Sequence, residues 1–278
     1  MASVTALPFR DALGLTSLGT GRYEAVLGRA WTVGPKALGS ILLVLAVRAA
    51  QERLVEGGAE VAPDPLAIGA EFLRAPDIGP VRLDTEVLKT GRTASVVAVR
   101  MVQGDELALS TTVTAGRLPD AEPAWASLPD LPAEPPADAV DPGVGPTPRG
   151  VIPRLAVSCD LRLDPSSLAF AQGRKGPAVV RGWVRPRGED PDVLFALLAG
   201  DILPPTVFNV AGRTGWSPTV QLTALLRGRP APGWLRLESR ATAVVGPWFD
   251  EDATVVDAAG RLVCQARQLA LAPQVADG

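Results

Sequence analysis

The chain of 278 residues contains no histidine. That absence removes Ser-His-Asp and Cys-His nucleophilic catalysis, histidine-ligated metals and every mechanism with an imidazole general base. Cysteine is nearly as scarce. Cys159 and Cys264 lie far apart and without metal-ligand spacing, so neither a disulfide framework nor a zinc site is expected. No Walker loop, Gly-x-Ser-x-Gly elbow or Gly-x-Gly-x-x-Gly occurs between a strand and a helix. A basic surplus is missing too: the formal charge is -3, which gives no footprint for nucleic acid or an anionic membrane. The longest apolar run, Ile41 to Val47, stops at Arg48, far short of the ~20 residues that cross a bilayer. The opening Met1 to Arg10 has neither a basic nor a long apolar region, so no secretory leader is expected. These absences point to a protein without membrane insertion, in a reducing cytoplasmic location. If it is an enzyme, carboxylate, hydroxyl, amide and backbone groups must do the work.

What is present is enough apolar sequence, 47% of residues, to bury one large core or two smaller ones. From Gly39 to Leu54 the apolar residues are dense enough for a helix buried nearly all round, with Arg48, Gln51, Glu52 and Arg53 only near its end and Gly57-Gly58 stopping it. Strand-type segments follow at Ile68 to Arg74, Val81 to Thr90, Ala94 to Gln103 and Leu107 to Thr114. The second half repeats that order. Strands are expected at Leu155 to Leu163 and Val179 to Val184, a short helix at Asp192 to Leu203, then strands at Thr219 to Leu226, Leu235 to Val245, Thr254 to Val256 and Leu262 to Leu271. Between the halves, residues 119–150 are rich in proline and acidic residues and nearly empty of large apolar ones, which reads as an extended surface linker. The halves rhyme locally: Arg82-Leu83-Asp84 answers Arg236-Leu237-Glu238, and Gln103-Gly104 answers Ala259-Gly260. A tandem duplication is the simplest explanation.

Two polar residues stand on apolar faces. Asp201 falls three, four and seven residues after Leu198, Leu197 and Leu194, on the stripe of the second helix that should face a core. A carboxylate there needs partners or a shifted pKa. In the last strand, alternation places Gln268 with Leu262, Cys264 and Ala266. Thr219 shares a face with Gln221 and Thr223, a polar face that singles out no one residue.

The order helix, meander, linker, helix, meander resembles an α+β double hotdog, two tandem hotdog units, each a long helix wrapped by a curved antiparallel sheet. Particular stretches resemble the acyl-CoA thioesterase II (TesB-like) family: Phe72-Leu-Arg-Ala-Pro76, Glu86-Val-Leu-Lys-Thr-Gly-Arg92, Met101-Val-Gln-Gly104, Pro218-Thr-Val-Gln-Leu-Thr223, Arg229-Pro-Ala-Pro-Gly-Trp234 and Gly260-Arg-Leu-Val-Cys-Gln-Ala-Arg-Gln-Leu-Ala270. The resemblance implies an N-terminal hotdog at 1–118, the linker at 119–150 and a C-terminal hotdog at 151–278 that carries the catalytic groups. It implies an acyl-CoA substrate, no metal or organic cofactor and a water held by Asp201, Thr219 and Gln268, with Asp201 as base. Backbone N–H groups at Gly39 and Ser40 would meet the oxyanion, although the family's usual glycine pair is Gly39-Ser40 here. A homodimer is also implied, while one double hotdog already pairs its halves.

Each residue has a plainer reading. Asp201 could serve only to end its helix before Pro204-Pro205, Gln268 could be a buried amide tying backbone groups together, and Thr219 an ordinary strand residue. Arg92, Arg100 and Arg240 could meet coenzyme A phosphates or simply be solvated, Gln103 could be a turn residue, and Trp216, Trp234 and Trp248 could line an acyl channel or a core. The competing function is a non-catalytic acyl-CoA or acyl-carrier binding protein, and beyond that a structural partner protein that uses a hotdog sheet for assembly.

Overall fold

A computed structural model describes residues 7–59, 63–143, 158–212 and 214–273. The first half opens with helix α1 (Phe9–Ala12), strands β1 (Thr16–Ser17) and β2 (Arg22–Leu27), and a small hairpin of β3 (Thr32–Val33) and β4 (Lys36–Ala37). Helix α2 (Gly39–Glu56) has no proline and no glycine after its first residue, so nothing interrupts it before Gly57. Every residue from Ser40 to Val47 is buried, as expected for a helix apolar on all sides. Strands β5 (Asp64–Phe72), β6 (Gly79–Lys89), β7 (Ala94–Gln103) and β8 (Glu106–Gly116) wrap around it.

The second half follows the same plan. Strands β9 (Cys159–Leu163) and β10 (Val179–Pro186) precede helix α3 (Val193–Ala199) and the short α4 (Val207–Ala211). Then come β11 (Thr219–Leu226), β12 (Leu235–Arg240), β13 (Val244–Val245), β14 (Trp248–Val256) and β15 (Leu262–Leu271). The expected strand from Leu155 begins outside the described residues. Helix α3 is shorter than the expected span to Leu203, and not the long helix of the hotdog pattern. Asp192 starts it by accepting the Phe195 N–H at 2.8 Å. Gly200 ends it: a Cβ there would lie 3.2 Å from Ala266 Cβ and 3.4 Å from Cys264 Sγ, so glycine lets the chain turn against β15 without pushing on those side chains.

All these strands except β3 and β4 form one antiparallel sheet, with the order β1-β2-β6-β7-β8-β5-β11-β15-β14-β12-β10-β9 and β13 on the flank of β14. Reading outward from the β5–β11 junction, β8-β7-β6-β2 on one side is matched by β15-β14-β12-β10 on the other. The sequence rhymes fall on matching places. Leu83 in β6 corresponds to Leu237 in β12, and Gly104 and Gly260 turn β7 into β8 and β14 into β15 at φ 60° and 90°. The two central helices pack on each other inside this sheet, and one continuous core runs through both halves.

The proline-rich stretch after β8 is not only surface chain. Leu131 is buried with Trp183 and Trp234 in a small apolar cluster, Trp183 Nε1 donates to the Pro132 carbonyl at 2.8 Å, and Arg236 Nη1 donates to that of Leu131 at 3.0 Å. Further on, Val140 exchanges two 2.8 Å backbone hydrogen bonds with Leu163. The stretch is a strap held at these points to the outside of the second unit and otherwise largely exposed, Trp125 included. Leu131→Ala should therefore cost about 2 kcal/mol of stability, read as a lower urea midpoint with an unchanged slope; an unaltered midpoint would mean that the strap contributes nothing to the cooperative fold.

Candidate active site

A cavity of about 750 Å³ lies where the two halves meet. Its walls are mostly apolar, with Leu38, Leu42 and Phe72 from the first half and Leu163, Phe170, Phe208 and Phe249 from the second. Polar side chains converge at one place on that wall, where Asp201, Thr219 and Gln268 come together beside Gly39. A large apolar pocket with a few convergent polar groups is the usual form of a small-molecule site.

Asp201 lies just beyond α3, two residues past Ala199, and its N–H bonds the Leu198 carbonyl at 3.2 Å. The tight turn at Gly200 swings its side chain toward the first half. There the carboxylate accepts the backbone N–H of Ser40 in the first turn of α2. Helix α2 has no side-chain cap of its own, since Leu38 stands at its N-cap. Asp201 thus supplies from the other half both the acceptor and the negative charge that a helix N-terminus favours. Gly39 permits the approach: a Cβ there would sit 3.3 Å from Asp201 Oδ2 and 3.4 Å from Phe72 Cε1. Ser40, in place of a second glycine, does not obstruct this backbone contact. The Ser40 N–H favours the ionised form of Asp201, and the neighbouring Gly39 N–H has no hydrogen-bond acceptor among the described residues.

Gln268 points inward from β15 with Cys264 and Ala266, as strand alternation predicts. Thr219 reaches it by a different route. Regular alternation would leave Thr219 on the outer face with Thr223, but β11 carries a bulge between Thr219 and Gln221 that turns Thr219 inward. Its hydroxyl donates to Gln268 Oε1 at 2.5 Å. The expectation that Thr219 shares a face with Thr223 is therefore corrected, while the residue itself is at the site.

One participant escapes a reading of the sequence. Glu251 in β14 stands directly opposite Gln268 in the sheet register, is 4% exposed, and does not line the cavity. Its Oε2 accepts the Thr206 N–H at 2.8 Å and the Thr206 hydroxyl at 2.9 Å, and Gln268 Nε2 lies 3.5 Å from its Oε1. The signal for it is the inward alternation Phe249, Glu251, Ala253, Val255, hidden when the strand is taken to start at Thr254. Burial and mutual repulsion push Asp201 up to about 7, against the opposing pull of Gln268 and the Ser40 N–H. Burial pushes Glu251 up to about 7 as well, against hydrogen bonds from Thr206, Gln268 and Ser239.

The other candidates fall elsewhere. Gln103 is the last residue of β7, where it accepts the Asp77 N–H and donates to the carbonyls of Asp77 and Pro80. Arg92 and Arg100 are exposed, and Arg240 pairs with Glu238 at 3.1 Å. Trp216 lines the cavity, Trp234 belongs to the strap cluster and Trp248 is largely exposed. Among the described residues no three His, Cys, Asp or Glu side chains converge as a metal site would require, and no helix is long and apolar enough to cross a membrane.

Comparison with known proteins agrees with this architecture. Residues 27–116 match the acyl-CoA thioesterase N-terminal domain and residues 128–272 the acyl-CoA thioesterase C-terminal domain. An uncharacterized protein of Mycobacterium tuberculosis is 40% identical over 269 residues, covering 90% of this chain and 91% of that one. A crystal structure of a candidate thioesterase II from Thermobifida fusca superposes with a TM-score of 0.83 at 29% identity, over 98% of this chain and all of that one. A hot dog fold protein of unknown function from Alicyclobacillus acidocaldarius gives 0.79 at 23% identity, over 96% and 98%, and speaks for the fold alone.

The raised carboxylates carry a stability signature. Asp201 binds its proton more tightly folded than unfolded, so the protein loses stability as pH rises from about 4 to about 7 and stays at the lower level above that. Asp201→Asn keeps an acceptor for the Ser40 N–H and removes the poorly solvated charge from the cavity wall. Its melting temperature at pH 8 should exceed the parent's by roughly 2–4 °C, with the gap narrowing toward pH 5; a variant that melts lower at pH 8 would show that the charge stabilises the fold.

Proposed function

The chain belongs to the acyl-CoA thioesterase family, a TesB-like double hotdog, and we propose that it hydrolyses a fatty acyl-CoA thioester to the free acid and coenzyme A with Asp201 as the general base. The observation that carries this reading is the meeting of Asp201, Thr219 and Gln268 on the wall of a mostly apolar cavity, whose charged lining residues Arg74 and Asp141 are each paired elsewhere. The cavity offers the acyl chain a dry site worth about 0.8 kcal/mol for each methylene buried. The polar cluster offers a water the partners that hold it beside the thioester carbon.

In this scheme a water bound by Asp201 and by the Thr219–Gln268 pair attacks the carbonyl carbon. Its O–C bond forms as its proton passes to Asp201. The Gly39 N–H, at the positive end of α2, receives the charge that develops on the carbonyl oxygen, while the Ser40 N–H stays with Asp201. The intermediate collapses with loss of the C–S bond, and the proton on Asp201 leaves with the thiolate. The cycle needs no further reactant. A base near neutrality is well matched to this work. Because Asp201 must be ionised to act, kcat/KM should rise with pH through about 7 and level off above it.

The experiment is thiol release from acyl-CoAs of two to sixteen carbons, with parent and Asp201→Asn side by side. The parent should prefer the longer chains, and the variant should lose at least a hundredfold in kcat, as removal of a positioned base does. Binding of long-chain acyl-CoA without release from any of them would instead support the non-catalytic carrier. Gly39→Ala tests the approach of α2: a methyl placed 3.3 Å from Asp201 Oδ2 displaces the base and should lower kcat by about ten- to a hundredfold with little change in melting temperature. Full activity in this variant would remove Gly39 from the site.

A further inference from the structure

We propose that Glu251 is a positioning residue for this hydrolysis: it fixes which end of the Gln268 carboxamide faces Thr219 and which faces Asp201, and it stands behind that amide as a second carboxylate. The inference rests on the hydrolytic reading above and adds to it a residue that does not touch the substrate cavity.

The argument is one of donors and acceptors. A carboxamide is ambiguous by shape, and only its partners decide which end is oxygen. Gln268 Oε1 receives the Thr219 hydroxyl, yet a hydroxyl can equally accept, so Thr219 alone does not fix the amide. Glu251 removes the ambiguity. Its Oε2 is occupied by two donors from Thr206, the N–H at 2.8 Å and the hydroxyl at 2.9 Å, which leaves Oε1 as the atom turned to Gln268. An ionised Oε1 tolerates only a donor, so the amide NH₂ must turn toward β14. The same NH₂ then has a second hydrogen for Asp201, and the amide oxygen is left for Thr219. With the amide reversed, its oxygen would face two carboxylates.

The charge follows from the same geometry. The charge acting on Asp201 is that of Glu251. The elements packed around the pair present neutral groups: the Ser40 N–H from α2, Thr219 from β11, Ser239 from β12 and Thr206 before α4. Arg74 on the cavity wall is paired with Glu106 at 2.7 Å, and Asp141 with Arg162 at 2.7 Å. Asp201, half-buried on the cavity wall, and Glu251, buried behind it, are joined through one amide with no cation paired to either among the described residues, so the charge on one delays ionisation of the other.

Glu251→Gln separates this role from a merely structural one. The substitution keeps the shape and an acceptor for Thr206, but turns an NH₂ toward the NH₂ of Gln268 and removes the charge. The acidic limb of kcat/KM should move to lower pH by about one unit, kcat on the plateau should fall by about tenfold or more as Gln268 reverses, and KM should stay within about twofold because the cavity wall is untouched. A pH profile that superposes on the parent's would overturn the proposal, whatever the loss in kcat. A second readout needs no turnover: the Asp201 side-chain carbon, followed by NMR in ¹³C-labelled protein, should titrate in two coupled steps in the parent and in one, at lower pH, in Glu251→Gln. A single step with the same midpoint in both proteins would refute the coupling. A parent that releases thiol from no acyl-CoA would defeat the hydrolytic reading, while the NMR titration would still decide the link between the carboxylates. Should Glu251→Gln fail to fold, the parent's own titration carries the test.

Discussion

The contact between the Asp201 carboxylate and the first turn of α2 is the interaction on which the rest of this structure turns. It joins the halves at the point where each is incomplete. Helix α2 begins at Gly39 without a side-chain cap, and α3 ends at a glycine that throws an acid out of its own unit. Each deficiency answers the other. The acid finds N–H groups and the positive end of a helix dipole, and the helix finds its acceptor. A cavity that lies between the halves therefore has the carboxylate on its wall held to both. Gly200 and Gly39 are the two places where a side chain would prevent this meeting, the first against β15 and the second against the carboxylate itself.

The arrangement is costly for folding, and in the proposed mechanism that cost is tied to the chemistry. A carboxylate on an exposed helix end would be a stabilising cap with an ordinary pKa. Here desolvation and the buried acid Glu251 push it toward neutrality, the range that the base proposed here requires. Helix α2 and the amide of Gln268 work in the opposite direction and keep the ionised form accessible. The balance between them places the site in the neutral range.

The order of elements, the buried helix and the two-fold repetition were legible because hydrophobic periodicity reports which faces are covered, and in a hotdog nearly all of the helix is covered. Asp201 and Gln268 were legible for the same reason in reverse, as polar residues at positions that periodicity assigns to the interior. Thr219 was named from family resemblance while alternation placed it on the wrong face, because a bulge is a change of one residue that a period of two does not register. Glu251 was missed because Asp250-Glu251-Asp252 looks like a solvated acidic run. Only the full length of β14 shows its middle member turned inward. The strap was read as surface chain on composition, which cannot show that Leu131 has Trp183 and Trp234 waiting on the sheet it crosses. Partners brought by distant segments are what a local reading of sequence lacks.

The central claim, that Asp201 activates a water and does not itself attack the thioester, is tested most directly by a single turnover in H₂¹⁸O with enzyme in excess over acyl-CoA. Direct attack by water places ¹⁸O in the fatty acid released in that first turnover and leaves the Asp201 peptide at its natural mass. If the first acid is unlabelled and ¹⁸O appears in Asp201, the carboxylate has formed an acyl anhydride, and the role assigned to it here is contradicted.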